Sequence, residues 1–475
     1  MGETVVSLKR KEIFLNNVCI FEVFGDIYLF GVNSLSIYKI NKNYFNSLIK
    51  CVGGLENLSW IRQIIEKEKF FLKQKDNLVL SSPPPFNKTK IFSELTLVVS
   101  QSCNMACKYC YLSDLLKQNE MMDWDVAKKS IDFFFSHSKN NIHISFFGGE
   151  PLLNFKLIEK SVQYASSLAT SEGKNLSFDI ITNGTIANQN IVDFFKEFGF
   201  DVGISLDGPK FIHDSLRIFP NGEGTFDVIL KNIEKYYSQI SSTNRIRFHI
   251  ALHYPFYKYV SQLYDFFVDL EKKYKISFNR FGKINTVDSR EMFKDTLSHF
   301  DDFIDMTAIY FKKVFEECES LKSLSPIFEK IRVSPQFLTI LEYKKPQEKS
   351  LCGSGVKLLM VYPNGKIGGC RQLDPSFFPK AIWGDINFLH NINEENRLEP
   401  YYSNIKASER CNVCWLKNVC GGSCPAMNYY YNNNIEIPDP YSCEIQKTIF
   451  KLSVWLKDKL KEVGLWKIRK QNTAT

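Results

Sequence analysis

The sequence predicts an α/β protein whose central part is a parallel β-sheet curled into a partial (β/α)6 TIM-like barrel. Six short runs rich in β-branched and aromatic residues alternate with five helical patterns between residues 91 and 290. This alternation is typical of parallel strands, because each strand needs a long crossover connection to reach the next. A Pro-rich linker before the barrel and a loop-rich, cysteine-rich stretch at 350–450 indicate a smaller domain on either side.

Residues 1–85 predict a small α+β domain. Alternating apolar and polar residues predict strands in FEVFGDIYLF and SLSIYKI, and a further strand is predicted in NLVLSS. Helical patterns occur in NYFNSLIKCVGG and LSWIRQIIEKEKF, and Gly53-Gly54 suits the end of the first. The run SSPPP at 81–85 forms an extended linker, so we place the domain boundary there.

The barrel strands and helices follow in order from residue 91. Buried strands are predicted in LTLVV, IHISFF, LSFDIIT, DVGISL, RIRFHIAL and KISFNRF. Helices are predicted in DWDVAKKSIDFFFSHS, NFKLIEKSVQYASSLA, ANQNIVDFFKEFG, TFDVILKNIEKYYSQ and YVSQLYDFFVDLEKKY. Right-handed crossovers bring the carboxyl ends of the strands to one side of the barrel, where the βα loops are expected to carry the chemistry.

The C-terminal third divides into three parts. A helical bridge is predicted at 299–349, with its longest helical pattern at 299–321. The cysteine-rich domain follows at 350–450, and an amphipathic helix is predicted at 444–462. We assign 451–475 to the C-terminal helix and tail.

Composition and charge exclude several classes of protein. The 475-residue chain contains 44% hydrophobic and 24% charged residues, which excludes a disordered chain. The net charge is +8, but the basic residues are scattered among acidic ones, so we expect no nucleic-acid partner. The sequence shows neither an apolar stretch long enough for a membrane span nor a signal peptide, so we expect no membrane contact and a cytoplasmic location.

The thirteen cysteines then point to metal chemistry, because stable disulfides are rare under reducing conditions. Cys103, Cys107 and Cys110 form a Cys-x3-Cys-x2-Cys loop directly after the first barrel strand. Three thiolates at this spacing can bind three irons of a [4Fe–4S] cluster and leave the fourth iron open. A zinc site or plain core cysteines are the alternatives.

The loop SQSCNMACKYCYL resembles the cluster-binding motif of the radical S-adenosylmethionine (SAM) superfamily, and the resemblance covers residues 91–290. In that family the open iron binds SAM, and the reduced cluster cleaves it to a 5′-deoxyadenosyl radical that abstracts hydrogen from the substrate. The resemblance implies that Tyr109 contacts the adenine. The run Gly148-Gly149-Glu150-Pro151 matches the family's GGEP motif, which implies that Gly148, Gly149 and Glu150 bind the SAM ammonium group, although Gly-Gly after a strand is also a common turn.

Three more residues match SAM-binding positions at strand ends. Asn183 in ITNGT would reach the ribose or carboxylate of SAM, with a simple Asn-Gly turn as the alternative. Ser205 and Arg217 in SLDGPKFIHDSLR resemble the serine and arginine that hold SAM in the family. Arg217 would donate a charge-assisted hydrogen bond to the SAM carboxylate, and a surface salt bridge with Asp214 is the alternative.

The C-terminal cysteines are ordered as in the SPASM domain of radical SAM enzymes that modify peptides and proteins. This resemblance implies two auxiliary [4Fe–4S] clusters, with two zinc ribbons as the alternative. One cluster would be bound by Cys411, Cys414, Cys420 and Cys443, and the other by Cys352, Cys370 and Cys424. The second set lacks a fourth cysteine, which leaves room for an open iron or a distant ligand. Buried apolar roles are expected for Cys19, Cys51 and Cys318.

The resemblance implies a radical SAM oxidoreductase that matures a ribosomally made peptide (a RiPP). The N-terminal domain would resemble winged-helix-like modules that take the leader of the precursor peptide as an added strand. The substrate is expected to contain cysteine, and the product to carry a thioether or another crosslink. The implied cofactors are SAM and three [4Fe–4S] clusters, and the implied partners are the precursor peptide and an external electron donor such as flavodoxin or ferredoxin.

Two other functions stay open. Anaerobic sulfatase-maturating enzymes, which oxidise Cys or Ser to formylglycine, share both cysteine regions. They carry an aspartate directly after the Gly-x4-Cys cysteine, where this chain has Arg371, and a cation cannot accept the substrate proton. A non-catalytic iron–sulfur electron carrier or a zinc adaptor would have no need of the SAM-binding residues.

Overall fold

A computed structural model describes residues 12–15, 18–32, 35–40, 92–243, 246–278, 298–324, 357–373, 375, 378–388, 408–420 and 423–466. The described residues fall into two compact units. The first unit is bounded by Met1–Phe86, His299–Leu351 and Ser403–Thr475, and the second by Asn87–Ser298 and Cys352–Tyr402.

Strands and helices are numbered in chain order within the described ranges. The strands are β1 Glu12–Leu15, β2 Val18–Val23, β3 Asp26–Gly31, β4 Ile37–Ile40, β5 Phe92–Ser100, β6 Ser138–Gly148, β7 Asn175–Thr182, β8 Asp201–Ser205, β9 Ile246–His249, β10 Ser277–Phe278, β11 Leu358–Val361, β12 Lys366–Gly368 and β13 Ile382–Asp385. The α-helices are α1 Ser113–Leu116, α2 Trp124–Ser136, α3 Phe155–Glu172, α4 Gln189–Glu197, α5 Lys210–Leu216, α6 Phe226–Lys235, α7 Val260–Tyr274, α8 Phe300–Leu321, α9 Glu409–Asn412, α10 Pro425–Asn432 and α11 Pro440–Glu462.

The second unit is built on a sheet with the strand order β10-β9-β8-β7-β6-β5-β11-β12-β13. Strands β5 to β10 run parallel to their neighbours, and α2, α3, α4, α6 and α7 alternate with them along the chain. The predicted α/β class and the six parallel strands are therefore confirmed, and the sheet is consistent with a partial barrel. Strand β11 adds to β5 in parallel and continues into antiparallel β12 and β13, three strands that the sequence pattern does not predict.

The two faces of the parallel sheet differ in chemistry. One face carries a buried apolar row paired in register: Leu97, Phe146 and Ile180. The Phe146 ring lies 6.0 Å from that of Phe200, and Phe200 lies 4.9 Å from Phe195 of α4, so α4 packs on this face. Because side chains alternate along a strand, the opposite, inner face carries the next row in register: Thr96, Ser145 and Asp179.

Local signals in the sequence fix the ends of the barrel helices. The side chain of Asp123 accepts a hydrogen bond from the Val126 amide at 2.9 Å and begins α2, and Asn188 does the same for the Ile191 amide at 3.0 Å and begins α4. Acceptors at this position satisfy amides that have no partner inside the helix. Gly173, with φ +64°, ends α3 in the left-handed conformation that glycine adopts without strain.

The first unit contains a four-stranded antiparallel sheet in the order β1-β2-β3-β4. Its buried side chains pack on the C-terminal part of the chain: the Phe30 ring lies 4.9 Å from Phe450 of α11, and the Phe21 ring stacks at 6.2 Å on Trp415. The Tyr28 hydroxyl donates to Asp458 of α11 at 3.0 Å. The N-terminal sheet and the C-terminal helix therefore share one hydrophobic core.

Two predicted helices of the C-terminal third lie within the described residues, and several predicted features of other segments do not. The helices predicted at 299–321 and 444–462 are confirmed as α8 and α11. The helices predicted between 41 and 80, the strand NLVLSS, Cys51 and Cys352 lie outside the described residues, and the predicted domain bounds stay predictions. No helix in the described ranges is both long enough and apolar enough to span a membrane.

Candidate active site

The residues predicted to bind SAM lie at the carboxyl ends of four neighbouring parallel strands. The cysteine loop follows β5, the Gly-Gly-Glu run begins at the last residue of β6, and Asn183 directly follows β7. Ser205 is the last residue of β8; it is nearly buried and pairs in register with His249 of β9. Because the strands are parallel and adjacent, these loops share one edge of the sheet, the place where open α/β sheets bind ligands.

The three thiols of the cysteine loop are partly buried, and two of them raise the pKa of the third. Burial raises the pKa of the Cys103 thiol to about 12, and Glu150, Cys107 and Cys110 add to the rise. Burial also raises the pKa of Cys107, although the Arg217 guanidinium opposes it. Such thiols stay protonated at neutral pH unless a metal binds them, because coordination removes the thiol proton. The trio therefore suits metal ligation rather than a free thiolate nucleophile.

A strap formed by residues 216–218 holds the cysteine loop. The Ala106 amide donates to the Ile218 carbonyl at 2.8 Å, and the Lys108 amide donates to the Leu216 carbonyl at 2.9 Å. These two bonds fix the backbone on both sides of the second cysteine of the loop. They also bring the arginine in the middle of the strap beside that cysteine.

The two glycines of the GGEP-like run are required by the close approach of two loops. A side-chain carbon at Gly148 would collide with the carbonyl oxygen of Ser100, and one at Gly149 would collide with that of Ser102. The Gly149 amide donates to the Ser100 carbonyl at 2.9 Å, and Gly148 has φ +151°, a conformation that favours glycine. The run is thus joined to the start of the cysteine loop.

Glu150 is fully buried, and its carboxylate accepts three hydrogen bonds from this chain. Oε1 accepts from the Leu152 amide at 3.0 Å and the Thr182 hydroxyl at 2.9 Å, and Oε2 accepts from the Asn183 amide at 2.7 Å. Burial outweighs these donors and raises the pKa of the carboxyl to about 7. Glu150 therefore joins the ends of β6 and β7, a structural task beside the predicted role toward the SAM ammonium group.

Asn183 makes a turn and also contacts the cysteine loop. Its Oδ1 accepts from the Thr185 amide at 2.9 Å, as an Asn-Gly turn requires. Its Nδ2 donates to the Asn104 side-chain oxygen at 2.8 Å and lies 3.8 Å from the Cys103 sulfur. The turn is therefore observed, together with a contact to the cysteine loop, and the contact of Asn183 with SAM stays a prediction.

Asp207 is a central residue of the site that sequence reasoning missed. Its Oδ2 accepts from the Tyr109 hydroxyl at 2.6 Å and from Arg217 Nε at 2.7 Å, and its Oδ1 accepts from the Ala251 amide at 2.9 Å. Burial raises the pKa of Asp207, but Arg217 and the other donors outweigh burial and hold it below its usual value. The Tyr109 ring, buried and 4.2 Å from that of His253, belongs to this network. The sequence signal for Asp207 is its position two residues after β8, inside the run SLDGPKFIHDSLR.

His213 joins the end of β8 to the strap. Burial lowers the pKa of His213 to about 4, so the imidazole is neutral at pH 7. Its Nδ1 accepts from the Asp207 amide at 3.2 Å, and its Nε2 therefore donates to the Thr225 hydroxyl at 2.9 Å. Thr225 in turn donates to the Arg217 carbonyl at 3.0 Å. Asp214, the alternative partner considered for Arg217, instead accepts from the Phe226 amide at the start of α6.

Four of the C-terminal cysteines lie together in the first unit. Burial raises the pKa of the Cys443 thiol to about 12, and the nearby Cys420, Asp439, Cys411 and Cys414 add to the rise. These are the four cysteines predicted to share one cluster. Cys424 lies in the same unit and precedes α10, whereas Cys370 lies in the second unit after β12.

The arrangement of the thiols matters for the type of metal site. No group of three His, Cys, Asp or Glu side chains in the described ranges is placed around a single metal-ion position. In a [4Fe–4S] cluster each thiolate binds its own iron, so the ligands surround a larger object than one ion. The cysteine loop, with three partly buried thiols beside an arginine and a glycine loop, fits a cluster and SAM on chemical grounds.

Comparison with known proteins defines the class. Residues 97–253 match the family model of the Radical SAM superfamily, so the second unit contains a radical SAM domain. This agrees with the resemblance carried by the cysteine loop and the GGEP-like run.

Similar proteins include a sulfatase-maturating enzyme and a cyclopropyl synthase. The cysteine-type anaerobic sulfatase-maturating enzyme of Clostridium novyi is 29% identical over 77% of this chain and 96% of its own length. The radical SAM cyclopropyl synthase TigE of Paramaledivibacter caminithermalis is 22% identical over 75% of this chain and 73% of its own length. The uncharacterized protein MJ0907 of Methanocaldococcus jannaschii is 43% identical, but the match spans 28% of this chain and less than half, 46%, of that protein.

A solved structure shares the fold. The structure of anSMEcpe with bound AdoMet and Cp18Cys peptide superimposes with a TM-score of 0.59 and 18% identity, covering 78% of this chain and 99% of that chain. The chain therefore shares the fold of that protein.

Proposed function

We propose that this radical SAM protein is a peptide maturase, which modifies a ribosomally made peptide by abstracting hydrogen from it. The observation that carries the proposal is the cysteine loop, which backbone hydrogen bonds to residues 216–218 hold in place. Three partly buried thiols lie on the loop after β5, and the buried Asp207–Arg217 pair holds the strap beside them. Similarity to enzymes that mature sulfatases supports a polypeptide substrate.

The chain's own residues would prepare the site as follows. Cys103, Cys107 and Cys110 would hold a [4Fe–4S] cluster, which together with bound SAM supplies a 5′-deoxyadenosyl radical. Arg217 keeps a positive charge beside Cys107 and would offset the negative charge of the thiolates. Asp207 fixes the position of that arginine through Nε, which leaves its terminal nitrogens for the cysteine and for the SAM carboxylate.

The remaining predicted sites complete the proposal. Two auxiliary clusters would be held by the set Cys411, Cys414, Cys420 and Cys443 and by the set Cys352, Cys370 and Cys424. Residues 1–85 would bind the leader peptide, for which β1 and β4 are the edge strands of the described sheet. Flavodoxin or ferredoxin would supply the electron for SAM cleavage, and a substrate cysteine would lead to a thioether.

Sulfatase maturation is the second candidate, because the similarity to the Clostridium novyi enzyme spans nearly all of that protein. The position after Cys370 argues against it. Arg371 stands where those enzymes are expected to carry an aspartate, and a guanidinium group does not accept a proton at neutral pH.

The test uses the full-length chain, reconstituted with iron and sulfide without oxygen and supplied with SAM and dithionite. A short cysteine-rich peptide encoded beside the gene should acquire a crosslink, detected by mass spectrometry. Replacing Cys103, Cys107 and Cys110 by Ala should abolish 5′-deoxyadenosine formation, whereas Cys318→Ala, a buried cysteine of α8, should retain it. Formylglycine on a sulfatase peptide at a useful rate would contradict the proposal and support the second candidate.

A further inference from the structure

The inner face of the barrel sheet carries a cation close to the cysteine-loop edge. Arg371 donates from Nε and Nη2 to the Thr96 hydroxyl on β5, at 3.2 and 2.8 Å. Its guanidinium carbon lies 5.7 Å from the centre of the Phe147 ring. Phe147 directly precedes Gly148, so the guanidinium lies near the glycine loop that contacts the cysteine loop.

The acidic groups of the same face do not neutralise Arg371 by direct contact. Asp179 lies two strands from Thr96 in the same row, and its Oδ1 is 3.0 Å from His143 Nε2. Burial raises the pKa of Asp179, but its bonds to His143 and Ser145 and the charge of Arg371 outweigh burial and lower it. The other acidic residues of this face follow from register: Glu94 pairs with His143, and Asp201 pairs with Asp179.

Within the part of the chain that the structure describes, the contacts of the Arg371 guanidinium leave some of its N–H donors unused. Among the described residues, Arg371 hydrogen-bonds to the Thr96 hydroxyl alone, and no carboxylate oxygen lies within 4.0 Å of it. Thr96 is fully buried, whereas Arg371 is partly exposed. A planar guanidinium offers a pair of parallel donors that matches a carboxylate, and a protein interior strengthens such a pair.

From this placement we infer that Arg371 binds a carboxylate group of the peptide substrate inside the barrel. The carboxylate is that of an Asp or Glu side chain or of the peptide C-terminus. The inference rests on the proposed function, since it requires that a peptide enters the barrel. It makes Arg371 a specificity residue at the position where sulfatase-maturating enzymes are expected to carry an aspartate.

A purely structural role for Arg371 gives a different expectation. In that case the contact with Thr96 would only fasten the segment after β12 to β5. Replacement of Arg371 would then lower stability without changing which peptides bind. A measurement of binding preference, not of activity alone, therefore separates the two roles.

The experiment measures binding of capped tripeptides to the reconstituted, SAM-loaded full-length chain by calorimetry without oxygen. The probes are acetyl-Ala-Glu-Ala-amide, acetyl-Ala-Gln-Ala-amide and acetyl-Ala-Gln-Ala with a free carboxylate. A hydrogen-bonded charge pair should make the wild-type chain bind one or both charged probes about tenfold or more tightly than the neutral one. The Glu probe and the free-acid probe distinguish a side-chain carboxylate from a terminal one.

Variants assign the preference to the residue. Arg371→Gln should reduce the preference to about twofold or less, and Arg371→Lys should keep part of it, because the charge remains while the paired donors are lost. Arg247→Gln removes another arginine of the barrel sheet, on β9, and should leave the preference unchanged. Equal binding of all probes by the wild type, absence of saturable binding of both charged probes, or an unchanged preference in Arg371→Gln would overturn the inference. Because no probe needs to react, failure of peptide modification would leave this result standing and would count only against the proposed function.

Discussion

Asp207 and Arg217 form a buried ion pair in which Nε lies 2.7 Å from Oδ2. Removing two charges from water is costly, and such a pair often adds little net stability compared with apolar residues. The position of the pair gives it a second effect. Arg217 lies between Asp207 and Cys107, and it lowers the pKa of that cysteine while burial raises it. The pair thus holds a permanent positive charge beside the cysteine loop.

The first prediction concerns Asp207→Asn. The amide group would present a donor toward the Tyr109 hydroxyl and Arg217 Nε, which are themselves donors, and would leave the arginine buried without its counter-charge. Breaking a buried pair in this way costs about 3–5 kcal/mol. We expect a lower thermal unfolding midpoint, measured by circular dichroism, and weaker SAM binding, measured by calorimetry. Asp214→Asn is the matched control, because its contact with the Phe226 amide needs only an oxygen acceptor; equal losses in both variants would contradict the role given to Asp207.

The second prediction concerns pH. The Glu150 carboxyl has a pKa of about 7 in the folded chain against an ordinary value of 4.5. Between these values the unfolded chain has released a proton that the folded chain still binds, so this group's contribution to stability is full below about pH 4.5 and is lost as pH rises through 7. The loss amounts to about 3 kcal/mol at most.

The measurement compares unfolding midpoints of the wild type and Glu150→Gln from pH 5 to pH 8. The wild type should lose stability relative to the variant as pH rises. The variant starts from a lower unfolding midpoint, because its side-chain NH₂ group faces backbone N–H groups that donate hydrogen bonds to Glu150. Glu197→Gln, at an exposed position of α4, serves as control and should follow the wild type. Parallel curves for wild type and Glu150→Gln would show that the carboxyl does not titrate in this range.

Parts of this site could be predicted from sequence because they depend on neighbouring residues. The period of apolar residues predicted the parallel strands, and the cysteine and glycine runs follow strand ends directly. Asp207 could not be recognised, because its role depends on Tyr109, which is 98 residues away in sequence and meets Asp207 and Arg217 only in the fold. The packing of Phe21 on Trp415 likewise joins segments almost four hundred residues apart, and no local pattern records it.

The third prediction concerns the C-terminal cysteines. If each of the three proposed sites holds a four-iron cluster, reconstituted wild-type chain should contain about twelve irons. Cys443→Ala should lose about four of them, because its thiol lies with Cys411, Cys414 and Cys420, while Cys318→Ala should lose none. Iron and zinc are measured together by elemental analysis. About four irons with stoichiometric zinc would instead support zinc ribbons.

The last prediction concerns the N-terminal sheet and the cysteine site of the first unit. Phe30 is fully buried between Trp415, at 6.0 Å, and Phe450, at 4.9 Å, and Trp415 lies between Cys414 and Cys420 along the chain. Phe30→Ala should open a cavity that costs about 3–5 kcal/mol and loosens the loop on which those cysteines lie.

We therefore expect Phe30→Ala to lose about four irons during reconstitution. SAM cleavage, which depends on the cysteine loop of the second unit, should be retained when measured as 5′-deoxyadenosine without peptide. Phe311→Ala is the matched control, since Phe311 is equally buried but lies on α8 of the same unit. Phe311→Ala should lose similar stability while keeping its iron. Iron loss in both variants would indicate general destabilisation. Iron retention in both would show that the N-terminal sheet does not support the cysteine site. A point variant is preferred to deletion of residues 1–85, because deletion would remove one side of the core that the sheet shares with α11.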